Sequence, residues 1–227
     1  MSLHLQRSID QLMNQLIALS AKVENNVKHV ILALEENNIQ IAKEVITDDE
    51  EIDKREILIE EECLKIFALY QPVAVDLRYL VAVLKINNDL ERIGDLAQNI
   101  AYHVIHILNR PVFIKPARLD ILGIYQKVQC MLKKSLDSIV NRDVNDAYAI
   151  LKADDEVDQM QREFETDIIE VIKKVPEDAD VIVQYIHIAR HLERIADHAT
   201  NVAEDIIYMI NGDIARHGRS FEKENEA

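Results

Sequence analysis

Four glycines and four prolines are all that a chain of 227 residues carries. That is about 3.5% of the chain, against an average near 12%. Sandwiches, barrels and propellers need many tight turns, and those turns draw on glycine for positive φ and on proline for fixed φ. A chain so poor in both is confined to long, uninterrupted elements, which means helices. The glycines, Gly94, Gly123, Gly212 and Gly218, are not spaced as a dinucleotide fingerprint or a phosphate-cradling loop. No G-x-S-x-G nucleophile elbow occurs either.

Other totals narrow the class. Hydrophobic residues make 48% and charged residues 30%, the balance of a globular chain with room for one or two cores. The formal net charge is −15. A field of that sign repels phosphate backbones, which excludes nucleic acid as a partner, and it favours cations. Cys63 and Cys130 fall at apolar phases of helical stretches and read as core residues of a reducing compartment. Asp10 and its polar neighbours break any N-terminal apolar run, and no run approaches the ~18 residues of a membrane span. The expectation is a soluble, cytoplasmic protein.

Prolines at 72, 111, 116 and 176, with weaker breaks at Asn37-Asn38 and Asn141, delimit six helices near 3–36, 38–70, 73–109, 117–140, 143–174 and 178–211. Leu5, Ile9, Leu12, Leu16, Leu19, Val23, Val27, Val30 and Leu34 form a seam on the first. Ile150, Val157, Phe164, Ile168, Val171 and Val175 do so on the fifth. The third carries a core stripe from Tyr79 to Val104. Its opposite face (Leu77, Leu80, Val81, Leu84, Tyr102) is interrupted by Asn88, Glu91, Asp95, Gln98 and Asn99. The sixth repeats this with Ile182, Val183, Ile186 and Tyr208 around Arg190, Glu193, Asp197, Asn201 and Glu204. Those apolar second faces also suit a homodimer.

The chain repeats itself. Residues 90–100 (LERIGDLAQNI) align with 192–202 (LERIADHATNV), seven of eleven identical at an offset of 102. Asp49-Glu50-Glu51-Ile52-Asp53 aligns with Asp154-Asp155-Glu156-Val157-Asp158 at an offset of 105. The fold class is therefore all-α: two tandem three-helix bundles related by a pseudo-twofold repeat. Residues 1–110 form the first, 117–212 the second and 213–227 a polar tail, with Pro111–Pro116 as linker.

Within each copy one helix carries Asp-x-x-x-Asp and the next Glu-x-x-x-Asp. A spacing of four puts both carboxylates on one helix face, a turn apart. Asp49 and Asp95, and likewise Asp53 and Glu91, lie equidistant from Pro72. Asp154 with Asp197, and Asp158 with Glu193, are equidistant from a point beside Pro176. In antiparallel hairpins those residues meet at one level. Such a set repels itself unless protonated or bridged by a cation. Hard oxygen donors suit Mg, Mn, Fe or Ca, and Zn also accepts carboxylates. Asn99, Asn201, His198 and Glu204 stand near enough in sequence to contribute further. The solvated alternative needs basic partners: Lys54 and Arg55 offer them in the first copy, and the matching Gln159 and Met160 do not in the second.

The double Glu-x-x-x-Asp-x-x-x-Asn helix, the Asp-x-x-x-Asp partner, Pro72 with Asp76-Leu77-Arg78, and the run Arg190–Asn201 resemble the PhoU family of bacterial phosphate-signalling regulators. The resemblance covers nearly the whole chain. It implies multinuclear metal sites, with Fe or Zn, at Asp49, Asp53, Glu91 and Asp95 and at Asp154, Asp158, Glu193 and Asp197. It further implies a cytoplasmic negative regulator of the phosphate regulon, peripheral to the inner membrane through two partners. These are the ATPase of a phosphate ABC transporter and a membrane sensor histidine kinase. Gly94 where the second motif has Ala196, and Leu96 where it has His198, depart from strict repetition. No nucleophile–base constellation is legible, so the expected role is a non-catalytic adaptor. The rival is a di-iron oxidoreductase or iron-storage bundle, whose Glu-x-x-His motif is absent from the chain.

Overall fold

The computed structural model describes residues 3–110, 121–141 and 143–212. Six α-helices carry the described chain: α1 (Leu3–Glu35), α2 (Ile39–Tyr70), α3 (Val75–Leu108), α4 (Ile121–Asn141), α5 (Val144–Lys174) and α6 (Ala179–Asn211). A single 3-10 turn at Pro176–Asp178 links the last two. The start expected for the fourth helix at residue 117, the Pro111–Pro116 linker and the tail lie outside the described residues.

Local chemistry sets the breaks. Asn37 takes φ 54°, the left-handed conformation asparagine tolerates, and the Asn38 amide donates to the Ala33 carbonyl at 2.9 Å to close α1. The Asn38 side chain then accepts from the Gln40 amide at 3.0 Å and opens α2. Asp143 caps α5 in the same manner. Between α2 and α3, Gln71 and Ala74 both adopt positive φ, on either side of Pro72 and Val73.

The seam expected on α1 is buried from Leu5 to Val30, with Leu34 partly covered, and Ile150, Val157, Phe164 and Ile168 are buried on α5. Helices α1–α3 pack on one another, as do α4–α6. Between the repeats α3 lies along α6 and α1 touches α4. Among the described residues, α2 touches only α1 and α3, and α5 touches only α4, α6 and the 3-10 turn. No described helix is long and apolar enough to cross a membrane.

Three expectations need correction. Cys63 is buried but Cys130 is exposed. Two residues past the buried Val128, it sits about 200° round the helix, on the face away from the core. The second face of α3 is not uniform: Leu80 is fully buried, while Leu77 and Tyr102 stay exposed. Of its polar residues, Glu91 and Gln98 are half-buried, and Asn88, Asp95 and Asn99 are exposed. Toward α6, α3 presents Arg78, Lys85, Asp89 and His103, whose polar contacts reach that helix.

Gly94 fits a close approach of α2. A Cβ there would lie 3.1 Å from two Ile52 side-chain carbons and 3.3 Å from Asp49 Oδ1. In the second repeat the register pairs Ala196 with the smaller Val157. One methyl group has thus changed helices, and the packed volume is conserved. Gly94→Ala gains about 1 kcal/mol of helix propensity but overpacks Ile52. In an Ile52→Val background the crowding is relieved. A urea double-mutant cycle will show Gly94→Ala more favourable there by about 1 kcal/mol.

Candidate metal centre

The α2–α3 hairpin brings carboxylate oxygens of Asp49, Asp53 and Asp95 within 4.8 Å of one another. The α5–α6 hairpin does the same with Asp158, Glu193 and Asp197. The fourth members, Glu91 and Asp154, are close enough to be felt electrostatically by the rest. All eight sequence-designated carboxylates therefore converge on two clusters, one per hairpin.

Burial makes this congestion costly. Asp49 is only 4% exposed. Its carboxyl is pushed up to about 7, first by burial and then by Asp53, Asp95 and Glu91. Glu193 is likewise pushed up to about 7 by burial, then by Asp197, Asp158 and Asp154. Burial, with neighbouring acids, also raises Glu91, Asp95, Asp154 and Asp197. Gln98 Nε2 donates to Asp49 Oδ2 at 2.7 Å, and Thr200 Oγ1 donates to Asp154 Oδ1 at 3.2 Å. These donors are repeat equivalents, 102 residues apart, so the alignment held the signal. The other oxygen, Asp49 Oδ1, is buried without a hydrogen-bond partner.

The basic residues distribute unevenly. Lys54 and Arg55 pair with Glu50 and Glu51, away from the first cluster. The second cluster, expected to lack a basic partner, has one: Arg162 stands 3.2 Å from Asp158. That base lies one turn past Asp158, at the position equivalent to Ile57 in the first repeat. The first cluster instead gains another acid. Glu56, raised by burial and then by Glu60 and Asp53, accepts from the Asn87 side chain at 3.3 Å. Its repeat equivalent is Gln161.

The auxiliary residues separate. His198 Nδ1 lies 2.7 Å from Asp89 Oδ1, and Asn201 donates to the same oxygen at 3.3 Å. Both reach across to the first repeat. Asn99 is exposed and Glu204 half-buried. Asp89, missed in the sequence, ties α3 to the helix carrying Glu193 and Asp197. Its repeat equivalent is His191, and that of His198 is Leu96, so this clasp exists once.

A tandem pair of three-helix units, each with a carboxylate cluster at one level of its hairpin, defines a class of duplicated helical-bundle proteins. The PhoU domain model matches residues 16–104 and again 121–206. The chain belongs to the PhoU family. It is 33% identical over 211 residues to the phosphate-specific transport system accessory protein PhoU homolog 1 of Thermotoga maritima, covering 92% of this chain and 90% of that one. A homologue so named from Aquifex aeolicus is 35% identical, with 96% and 97% covered. The crystal structure of PhoU from Pseudomonas aeruginosa superposes with a TM-score of 0.87 at 30% identity, covering 92% of this chain and 99% of that one. That of the phosphate transport system regulatory protein PhoU from Streptococcus pneumoniae gives 0.84 at 26%, covering 92% and 98%.

A raised carboxyl pKa gives stability that is complete below the ordinary carboxylate range and is lost as pH rises through the folded value. For Asp49 and Glu193 the loss runs upward from the ordinary carboxylate range and is completed only as pH passes about 7. Burial lowers His103 and His191, and these act oppositely, but only below the ordinary histidine pKa of about 6.5. Metal-free protein will therefore melt lower at about pH 8.5 than at about pH 6.5. Asp49→Asn with Glu193→Gln will flatten that slope in thermal scans.

Proposed function

We propose that this chain is a metal-binding, non-catalytic regulator of phosphate uptake and phosphate-starvation signalling. The observation that carries the metal reading is Asp49 Oδ1, a carboxylate oxygen buried among three other acids with no hydrogen-bond partner. An orphaned buried acceptor in an acidic set calls for a cation. Asp49, Asp53, Glu91 and Asp95 would hold ions in the first repeat, and Asp154, Asp158, Glu193 and Asp197 in the second. All are hard oxygen donors, suited to Fe, Mn or Mg and acceptable to Zn. The ion supplies positive charge that replaces protonation. The protein's residues do the rest: Gln98 and Thr200 orient one carboxylate in each hairpin.

The relatives' names support a place beside a phosphate-specific transport system. On this reading the partners are a phosphate-transporter ATPase and a membrane sensor histidine kinase. The chain would act in the cytoplasm, at the inner membrane through them. The di-iron alternative is disfavoured by its missing Glu-x-x-His motif.

Two measurements test this. Metal analysis of reconstituted protein will show ions lost with Asp95→Ala plus Asp197→Ala. The single Asp95→Ala will lose more than Asp197→Ala, because Arg162 already occupies Asp158. Unchanged stoichiometry would place the metal elsewhere. Capture of the transporter ATPase and the kinase will weaken after chelation and recover on metal return. Failure to capture either in any metal state removes the adaptor reading.

A further inference from the structure

Near the end of α3 and the start of α6 the seam between the repeats is made of imidazoles. His103 on α3 stacks on His187 of α6, with ring centroids 4.9 Å apart, and on His191, at 5.4 Å. His187 and His191 are four residues apart, so they lie on one face of α6, a turn from each other. That is the spacing at which two helical histidines can share one metal ion. All three rings are half-buried, so an ion can reach them from solvent. His106, one turn beyond His103 and exposed, is close enough for His103 to feel its charge.

The other side of the pseudo-dyad is an internal control. The repeat equivalents of His103, His106, His187 and His191 are Asp205, Tyr208, Lys85 and Asp89. There the helices are joined by Lys85 and Asp205 at 2.7 Å, with the ammonium 5.4 Å from the Tyr208 ring centre. At these four positions the fold needs no imidazole, so packing alone does not account for the cluster.

Hydrogen bonds fix which nitrogen of His103 keeps its lone pair. Gln184 Nε2 donates to the Asp180 carbonyl at 3.0 Å, and Gln184 Oε1 lies 2.7 Å from His103 Nδ1. An amide oxygen only accepts, so Nδ1 carries the proton and Nε2 holds the lone pair. Metal-ligating histidines are oriented in this way, donating one N–H to an oxygen and offering the other nitrogen. Burial holds His103 below the ordinary histidine range, which keeps the ring a neutral imidazole at neutral pH. On the facing helix, His191 Nδ1 is buried without a hydrogen-bond partner. An orphaned ring nitrogen is a group that a cation satisfies.

The spacing suits a single ion. Zinc takes imidazole nitrogens at about 2.0–2.1 Å in a tetrahedron, which sets ring centres about 5.2 Å apart. The two centroid distances from His103 bracket that value. The rings stand stacked, 16° and 27° from parallel, rather than convergent. Binding therefore turns the rings about their own bonds and leaves the helices in place. We infer that His103, His187 and His191 form a metal site of their own, taking one borderline divalent cation of the zinc, nickel or copper class that staples α3 to α6. Imidazole selects such ions, whereas carboxylates suit harder ones. The site shares no ligand with either carboxylate cluster.

Zinc titration of the metal-free full chain, followed by the NMR signals of the histidine rings, tests the inference. With saturating Mg(II) present, Zn(II) will move the ring signals of His103 and His187, and Mg(II) alone will leave them in place. Equilibrium dialysis will show one Zn(II) fewer bound by His187→Ala and by His103→Phe, which keeps a flat ring in the stack. Each substitution will weaken this site at least about tenfold with helicity unchanged. Zn(II) will also raise the melting temperature of the wild-type chain more than that of His103→Phe. Ring signals indifferent to Zn(II) overturn the inference, as does zinc stoichiometry unchanged in both variants. In the chain carrying Asp95→Ala and Asp197→Ala the ring shifts will persist. Their disappearance there would assign the ion to the carboxylates and also overturn the inference. Failure here and failure of the carboxylate reading are therefore distinguishable.

Discussion

Like charges forced to one level are the constraint on which the rest of this structure depends. Each hairpin sets Asp-x-x-x-Asp against Glu-x-x-x-Asp, and the turn length leaves the four carboxylates no choice but to meet. Ordinary surface acids disperse or take a lysine. Here the helices hold the acids in place, so burial first and their mutual repulsion second raise the carboxyl pKa values on both hairpins. One surface pair such as Arg162–Asp158 offsets little of it. Relief must come from protons or from a cation, and both are supplied by the solution. The folded state is thereby made sensitive to what the solution contains.

The α3–α6 seam shows how two similar repeats are joined without becoming identical. Arg78 donates to the Met209 and Ile210 carbonyls at the end of α6, beside Gly212 at φ 82°. At the other end Arg110 pairs with Asp180 at 2.9 Å, and Asp180 is the repeat equivalent of Arg78. Between them Lys85 meets Asp205 at 2.7 Å. The equivalent positions are His187 and His103, which stack at 4.9 Å between centroids. Asp89–His198 is answered by His191 and Leu96. Every polar clasp on one side of the pseudo-dyad is replaced by different chemistry on the other. The seam therefore has one arrangement rather than two equivalent ones.

Much of this was legible in the sequence, for identifiable reasons. Helix existence followed from the scarcity of Gly and Pro, and boundaries from Asn37-Asn38, Pro72 and Pro176. Asp49, Asp53, Asp95, Asp158, Glu193 and Asp197 could be placed because helix spacing and hairpin symmetry are one-dimensional rules. Failures arose where a side chain had to choose between neighbours in three dimensions. His198 stands next to Asp197 in sequence, yet its ring turns to Asp89 on the other repeat. Cys130 looks apolar by type but misses the buried phase of α4 by half a turn. Arg162, one turn past Asp158, has Ile57 as its repeat equivalent, so the repeat gave no hint of a base there. Gly94 was the informative exception: a glycine inside a helix pointed to close approach, and Ile52 is what approaches.

The division of surfaces follows from these parts. Among the described helices, α3 and α6 pack on each other and α1 on α4, while α2 and α5 make no contact with the opposite repeat. Each of those helices also supplies half of a carboxylate cluster, on α2 through the buried Asp49 and the exposed Asp53. Asp53 lies one turn before the exposed Ile57, so the first carboxylate cluster adjoins exposed apolar side chains on the same helix. The second repeat repeats the inner face and changes the outer one to Arg162, Glu163, Lys173 and Lys174. A duplicated bundle thus keeps two similar carboxylate clusters while offering two chemically different outer faces.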